Sequence, residues 1–308
     1  MQRQLIELYL LVCHLYDTQP VVQFQRLRHV TPEFTDQQLM TIYLFGHLHG
    51  FFTMRQIYDY IFRQWREWFP DLPSYQACNH RLNDLAPAFE LLIDALLQQA
   101  NTQLRVADDR VIDSLPVHLA RSSRASRAAV AREIADKTFC ASKNLWYHGV
   151  KIHLQAARRA KLLPMPERIY VTEASCHDLA AVRQMNLTLG DCALFADNAD
   201  ACASTEAEFD KDGTALATPT KKQKNQPPER TDSLWSRFVS SMRQPIESLF
   251  NWIIEKTGIQ NASKVRSTSG GWWMSASAIR SVSRCCSTSE ASRRRAGVLT
   301  AFFPKARI

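Results

Sequence analysis

Apolar residues recur at three- and four-residue steps from Gln4 to Tyr16 and again from Gln37 to Trp68, the spacing of one face of an α-helix. Thr35 and Asp36 stand where a helix start is expected, and Gly50 marks a break. Pro73-Ser74 opens a further helical stretch whose first part, through Leu85, carries His80, Arg81 and Asn83. Residues 1–100 therefore read as an all-α domain without strands. A pair of helices with a tight turn either places a recognition helix in a DNA groove or belongs to a packed bundle, and the pattern does not choose between them.

From Arg105 the period changes. RVIDSLPVHL, VKIHLQAA, RIYVTEA and CALFADN are short β-branched or apolar runs, and HDLAAVRQMNLTL between the last two has helical spacing. Strands first and then alternation with a helix predict an α/β unit, a mixed sheet with helices on its faces. A long helical stretch, SLWSRFVSSMRQPIESLFNWIIEK, follows. After Ser269 the chain is rich in Ser, Arg and Gly and its apolar residues keep neither period, so 270–308 reads as a poorly ordered basic tail.

Three acids stand out against this frame. Asp113 lies in the first apolar strand run, Asp197 ends another, and Glu247 sits in the long helix among apolar neighbours. Carboxylates delivered by two strands and a helix form a constellation able to hold two divalent ions for phosphodiester chemistry. Hard oxygen ligands without Cys or His suit Mg2+, with Mn2+ as a substitute. Asp113 is the candidate to bridge both ions, Asp197 and Glu247 to complete one each.

Charge points the same way. The chain carries 38 Lys and Arg against 30 Asp and Glu, a formal net charge of +8, which favours an anionic partner. Much of the excess falls after Arg280, and the rest of the chain is only mildly basic. Arg121, Arg124, Arg127 and Arg132 form a basic stretch after the first strand, either a phosphate grip or a solvated face. Lys143, Lys151 and His153 flank or occupy the second strand; alternation puts Lys151 and His153 on one face, where they are expected to border the acid site or to sit half-buried in the sheet. Lys221 and Lys222 open a basic, proline-containing loop before the Glu247 helix.

Eight cysteines are dispersed with no Cys-x-x-Cys pair, which fits reduced thiols. LIELYLLVCHLY has an acid and a His within it and no cleavage site, so it reads as a buried helix face rather than a signal core. No run approaches the roughly 20 apolar residues of a membrane span.

The blocks VIDSLPV, FCASKNLWYHGVKIHLQ, VTEASCHDLAAV, ALFADNAD and PIESLFNWI resemble, in this order, bacterial insertion-sequence transposases of the insertion sequence 982 family. The resemblance spans roughly residues 30 to 269. It implies a ribonuclease H-like catalytic domain over 105–269 with Asp113, Asp197 and Glu247 as its acid triad, and Arg243, four positions before the third acid, as a DNA contact. It further implies DNA cleavage at element ends and strand transfer, with double-stranded DNA (terminal repeats and target) as partner, further copies of the chain in the assembly, and a bacterial cytoplasmic, nucleoid-associated setting. The chain departs from the family at Asp200, Ser240 and Ile254, where the pattern has Tyr, Tyr and Lys, and its tail does not continue the family pattern, as after a frameshift. Two rivals stay open: a nuclease with the same core that cuts without joining, and a catalytically inactive DNA-binding relic.

Overall fold

The computed structural model describes residues 1–18, 32–103, 109–140, 143–185, 187, 189–197, 203–220 and 230–260. The chain divides into two compact units. Among the described residues, one takes Met1–Gln99 with Glu255–Ile259, and the other Ala100–Ile254 with Gln260.

The first unit is built from α1 (Gln2–Thr18), α2 (Asp36–Leu48), α3 (Met54–Gln64), α4 (Tyr75–Asp84) and most of α5 (Ala86–Gln103). Its helix starts are written in the sequence. Thr35 and Thr53 each form a capping box, their hydroxyls accepting from Gln38 N and Gln56 N while the Gln side chains reach back to the cap backbone. Ser74 caps α4 by accepting from Ala77 N. α1 buries the stripe Leu5, Leu8, Val12 and Leu15, whereas α2 is buried almost all round, from Leu39 to His47. Such a helix has close neighbours on several sides: a Cβ added at Gly46 would lie 2.5 Å from Ile57 Cγ1 on α3. Gly50 then leaves α2 with a φ of +84°, which glycine adopts without a Cβ penalty.

One buried polar cluster ties three of these helices. Asp36 at the first position of α2 accepts from Tyr16 on α1 (3.1 Å) and from Nε and Nη2 of Arg81 on α4 (2.9 and 2.7 Å). Arg81, expected among the groove-reading residues, is thereby engaged as a structural cation, because burying Asp36 requires a paired charge. His80 remains exposed beside Asp84.

The second unit holds a six-stranded mixed sheet of β1 (Asp109–Arg121), β2 (Asp136–Cys140), β3 (Leu145–Ala157), β4 (Met165–Glu173), β5 (Cys192–Phe195) and β6 (Thr214–Ala217). The order is β2-β3-β1-β5-β6, with β4 also paired to β3. β1 runs antiparallel to β3 and parallel to β5, and β5 is parallel to β6. β2 and β6 were not evident from the apolar pattern, and β3 starts five residues earlier than its apolar run. Ile112 packs on one sheet face with Val182, Met185, Leu187 and Phe209, the side occupied by α6 (Asp178–Gln184) and α7 (Ala203–Lys211). The long helix α8 (Arg230–Thr257) contacts the sheet through Phe238, which meets Phe195 edge-on at 6.0 Å. α8 contains Pro245, which has no N–H to donate to the Ser241 carbonyl one turn back.

Thus the expected mixed sheet with flanking helices, preceded by a helical region, is what the chain forms. Among the described residues no helix is long and apolar enough to cross a membrane. Lys221, Lys222, Asp200 and the 270–308 tail lie outside the described residues.

Candidate active site

β1 enters the sheet centre with the pattern Val-Ile-Asp-Ser-Leu, and its alternation fixes which face each side chain takes. Asp113 stands opposite Leu154 of β3, while Ser114 stands opposite His153 and Pro116 opposite Lys151. Directly opposed residues share a face, so Asp113 points to one side of the sheet and Lys151 and His153 to the other. Asp197 arrives two residues after β5, the parallel neighbour of β1.

The two aspartates meet on one cation. Arg243 of α8 donates from Nη2 to Asp113 Oδ2 at 2.9 Å and from Nη1 to Asp197 Oδ1 at 3.2 Å. Asp113 Oδ1 accepts from the Ser114 backbone N–H at 2.8 Å, so both of its oxygens are engaged. Asp113 and Arg243 are largely shielded, with side chains 23% and 15% exposed, whereas Asp197 is 54% exposed. Burial raises the Asp113 carboxyl above the ordinary carboxylate range; Arg243 and the Ser114 N–H oppose that, and the negative charges of Asp197 and Asp178 add to it.

Glu247 lies one helical turn beyond Arg243 and is exposed. It is not gathered with the aspartates: among the described residues no group of three or more His, Cys, Asp or Glu side chains stands together as a metal site. What is present fits a hard divalent ion in donor chemistry and in the convergence of two carboxylates on a single positive centre. Asp113 and Asp197 would hold such an ion.

The register corrects the expectation that Lys151 and His153 border these acids. Lys151 Nζ donates to the Cys176 carbonyl (2.9 Å) and pairs with Asp178 (3.2 Å). His153 is buried and shares a 2.9 Å hydrogen bond with the Thr172 hydroxyl. Burial lowers the pKa of its ring, against the opposing pull of Asp178. Both side chains are thus engaged by protein partners on the sheet face away from the aspartates. Lys143 is exposed just before β3, and its charge helps to lower the pKa of the buried His118. Asp178 is the site-related residue that sequence reasoning missed. Its signal was an acid opening a helix directly before the apolar LAAV run, and it touches the acid site only through charge.

Comparison with known proteins defines the class. The transposase DDE domain family matches residues 105–268, more than half of the chain, and the chain belongs to that family. A solved structure, the cryo-EM structure of the piggyBac transposase synaptic complex with hairpin DNA, is similar at a TM-score of 0.48 and 7% sequence identity, covering 96% of this chain and 84% of that one. No curated protein matches the chain.

Proposed function

We propose that this protein is a DNA transposase of the insertion sequence 982 type, cutting at element ends and joining the freed 3′-hydroxyl to target DNA, with Asp113, Asp197 and Glu247 as its acid triad. One observation carries the reading: Asp113 from the sheet centre and Asp197 from the end of the neighbouring parallel strand converge on one positive group. The strand order, with three antiparallel strands on one side of β1 and two parallel strands on the other, supports a ribonuclease H-like core.

Two divalent ions, Mg2+ by preference, would activate the attacking oxygen and neutralise the leaving oxygen when bound. Asp113, shielded and with Oδ1 held by the Ser114 N–H, would be one ligand for such ions. Asp197, more exposed, is the more accessible of the two carboxylates. Glu247 is the third ligand, delivered by the same helix that carries Arg243. Lys143 and Arg243 are assigned to phosphate contacts, Lys143 from its exposed position and Arg243 once it leaves the aspartates. The helical first unit is the candidate reader of terminal repeats, in a bacterial cytoplasm and on the nucleoid.

The test is cleavage and joining of cognate end DNA with Mg2+ by the wild type and by Asp113→Asn, which removes a ligand charge at nearly constant volume. Loss of cleavage with DNA binding retained is the expected result. Cleavage of an uncut donor with no joining of a pre-cut one would make the protein a nuclease. Undiminished cleavage by Asp113→Asn would refute the site.

A further inference from the structure

Arg243 is held by two acids but is not fully satisfied. Its Nη atoms answer Asp113 and Asp197, yet its Nε is buried without a hydrogen-bond partner. A buried guanidinium kept only for packing is expected to have its donors matched, because a buried orphan donor is costly. Its contacts also fall on particular oxygens. Asp113 Oδ1 is engaged by the Ser114 N–H, and Arg243 holds the other one, Oδ2, together with Asp197 Oδ1.

We propose that Arg243 is a removable internal cation, occupying the seat of a divalent ion between Asp113 and Asp197, so that it must leave before such an ion enters. This rests on the assignment of the two aspartates as metal ligands made above. The exclusion is geometric first. A hard ion of Mg2+ size needs its oxygens at about 2.0–2.1 Å, and the oxygens facing the gap are the ones Arg243 now contacts at 2.9 and 3.2 Å. An ion bound to both would overlap the guanidinium nitrogens. Charge adds to this, since a divalent ion repels a guanidinium at that range. Without either cation, two carboxylates would face each other, so the metal-free protein needs Arg243 where it is. Once displaced, its planar fork of donors suits a DNA phosphate, and metal loading and the exposure of this phosphate ligand become one event.

The experiment uses the full chain without DNA and Mn2+ alone as the probe. Mn2+ binding is titrated by electron paramagnetic resonance for the wild type, Arg243→Gln, Arg243→Lys and Asp113→Asn. Separately, wild-type arginines are modified with phenylglyoxal, with and without Mn2+, and mapped by mass spectrometry. Arg243→Gln should bind Mn2+ about tenfold more tightly than the wild type, within the roughly 5–150-fold range of coupled binding events. Arg243→Lys, which keeps the charge but loses the fork, should fall between the two. Modification at Arg243 should rise severalfold when Mn2+ is added. Mn2+ binding that Asp113→Asn abolishes but Arg243→Gln leaves equal or weaker would overturn the exclusion while sparing the metal site. Binding that is absent, or indifferent to Asp113→Asn, would overturn both. If Arg243→Gln does not fold, the wild-type modification decides, and protection of Arg243 by Mn2+ would refute the proposal.

Discussion

Replacing Asp36 by alanine removes one acceptor from three donors at once. The Tyr16 hydroxyl and two nitrogens of Arg81 converge on this carboxylate at 2.7–3.1 Å, and the residue is only 6% exposed. Arg81, itself shielded, would lose both of its close bonds and keep the 3.9 Å contact with the more exposed Asp84, and breaking a buried pair of this kind costs about 3–5 kcal/mol. The reverse truncation, Arg81→Ala, should cost less, about 2–3 kcal/mol, because Asp36 keeps the Tyr16 donor and sits in the first turn of α2, where the helix dipole favours an anion. The double variant should then be less damaged than the sum of the singles by about 2 kcal/mol. Urea denaturation followed by circular dichroism measures all four corners of this cycle. A loss below about 1 kcal/mol for Asp36→Ala, or additivity within about 0.5 kcal/mol, would refute the argument. The outcome also separates two roles for Arg81. If it is a structural cation, its removal lowers DNA binding only in proportion to the loss of folded protein.

His47 is buried with neither ring nitrogen bonded, and desolvation lowers its pKa to about 4. The unfolded chain, near 6.5, therefore binds the proton more tightly; stability is complete above about pH 6.5 and falls by up to about 3 kcal/mol as pH drops toward 4, a slope that His47→Leu should flatten in urea titrations at stepped pH. Gly46→Ala should destabilise by about 1–3 kcal/mol through its clash with Ile57, and Ile57→Ala in the same chain should recover part of that loss, measured as a non-additive shift in denaturation midpoint. Lys143→Gln should weaken DNA binding and reduce its salt dependence, whereas Lys151→Gln should leave that salt slope unchanged, since Lys151 is engaged by Cys176 and Asp178; an equal effect of both on the slope would refute the placement.

The helical first unit was legible because its signals are local. Apolar steps of three and four, and Thr-x-x-Gln boxes at Thr35 and Thr53, act within a few residues of where they are written. The sheet was legible only in part. β2 and β6 are too short, and in β2 too polar, to stand out, yet they form because neighbouring strands offer unpaired backbone. Lys151 and His153 were placed beside the acids because alternation within one strand says which residues share a face, not which face of the neighbour they share. That depends on cross-strand register, and a shift of one residue reverses it. The bridge from Arg243 to both aspartates was hidden for the same reason, since it depends on how α8 lies on the sheet. Only its spacing from Glu247 could be read along the chain.

Pro245 sits midway between Arg243 and Glu247 within α8. The missing hydrogen bond to Ser241 makes this the turn of the helix that bends at least cost. Two opposite charges are thus mounted on either side of a compliant joint, with the cation turned toward the aspartates and the carboxylate turned outward. Because residues four apart share a helix face, bending at that joint would change the distance of Glu247 from the aspartates while the apolar stripe of Val239, Ile246, Leu249 and Ile253 stays seated. Replacing the proline by a better helix former would stiffen α8, and that added rigidity would hinder the bending.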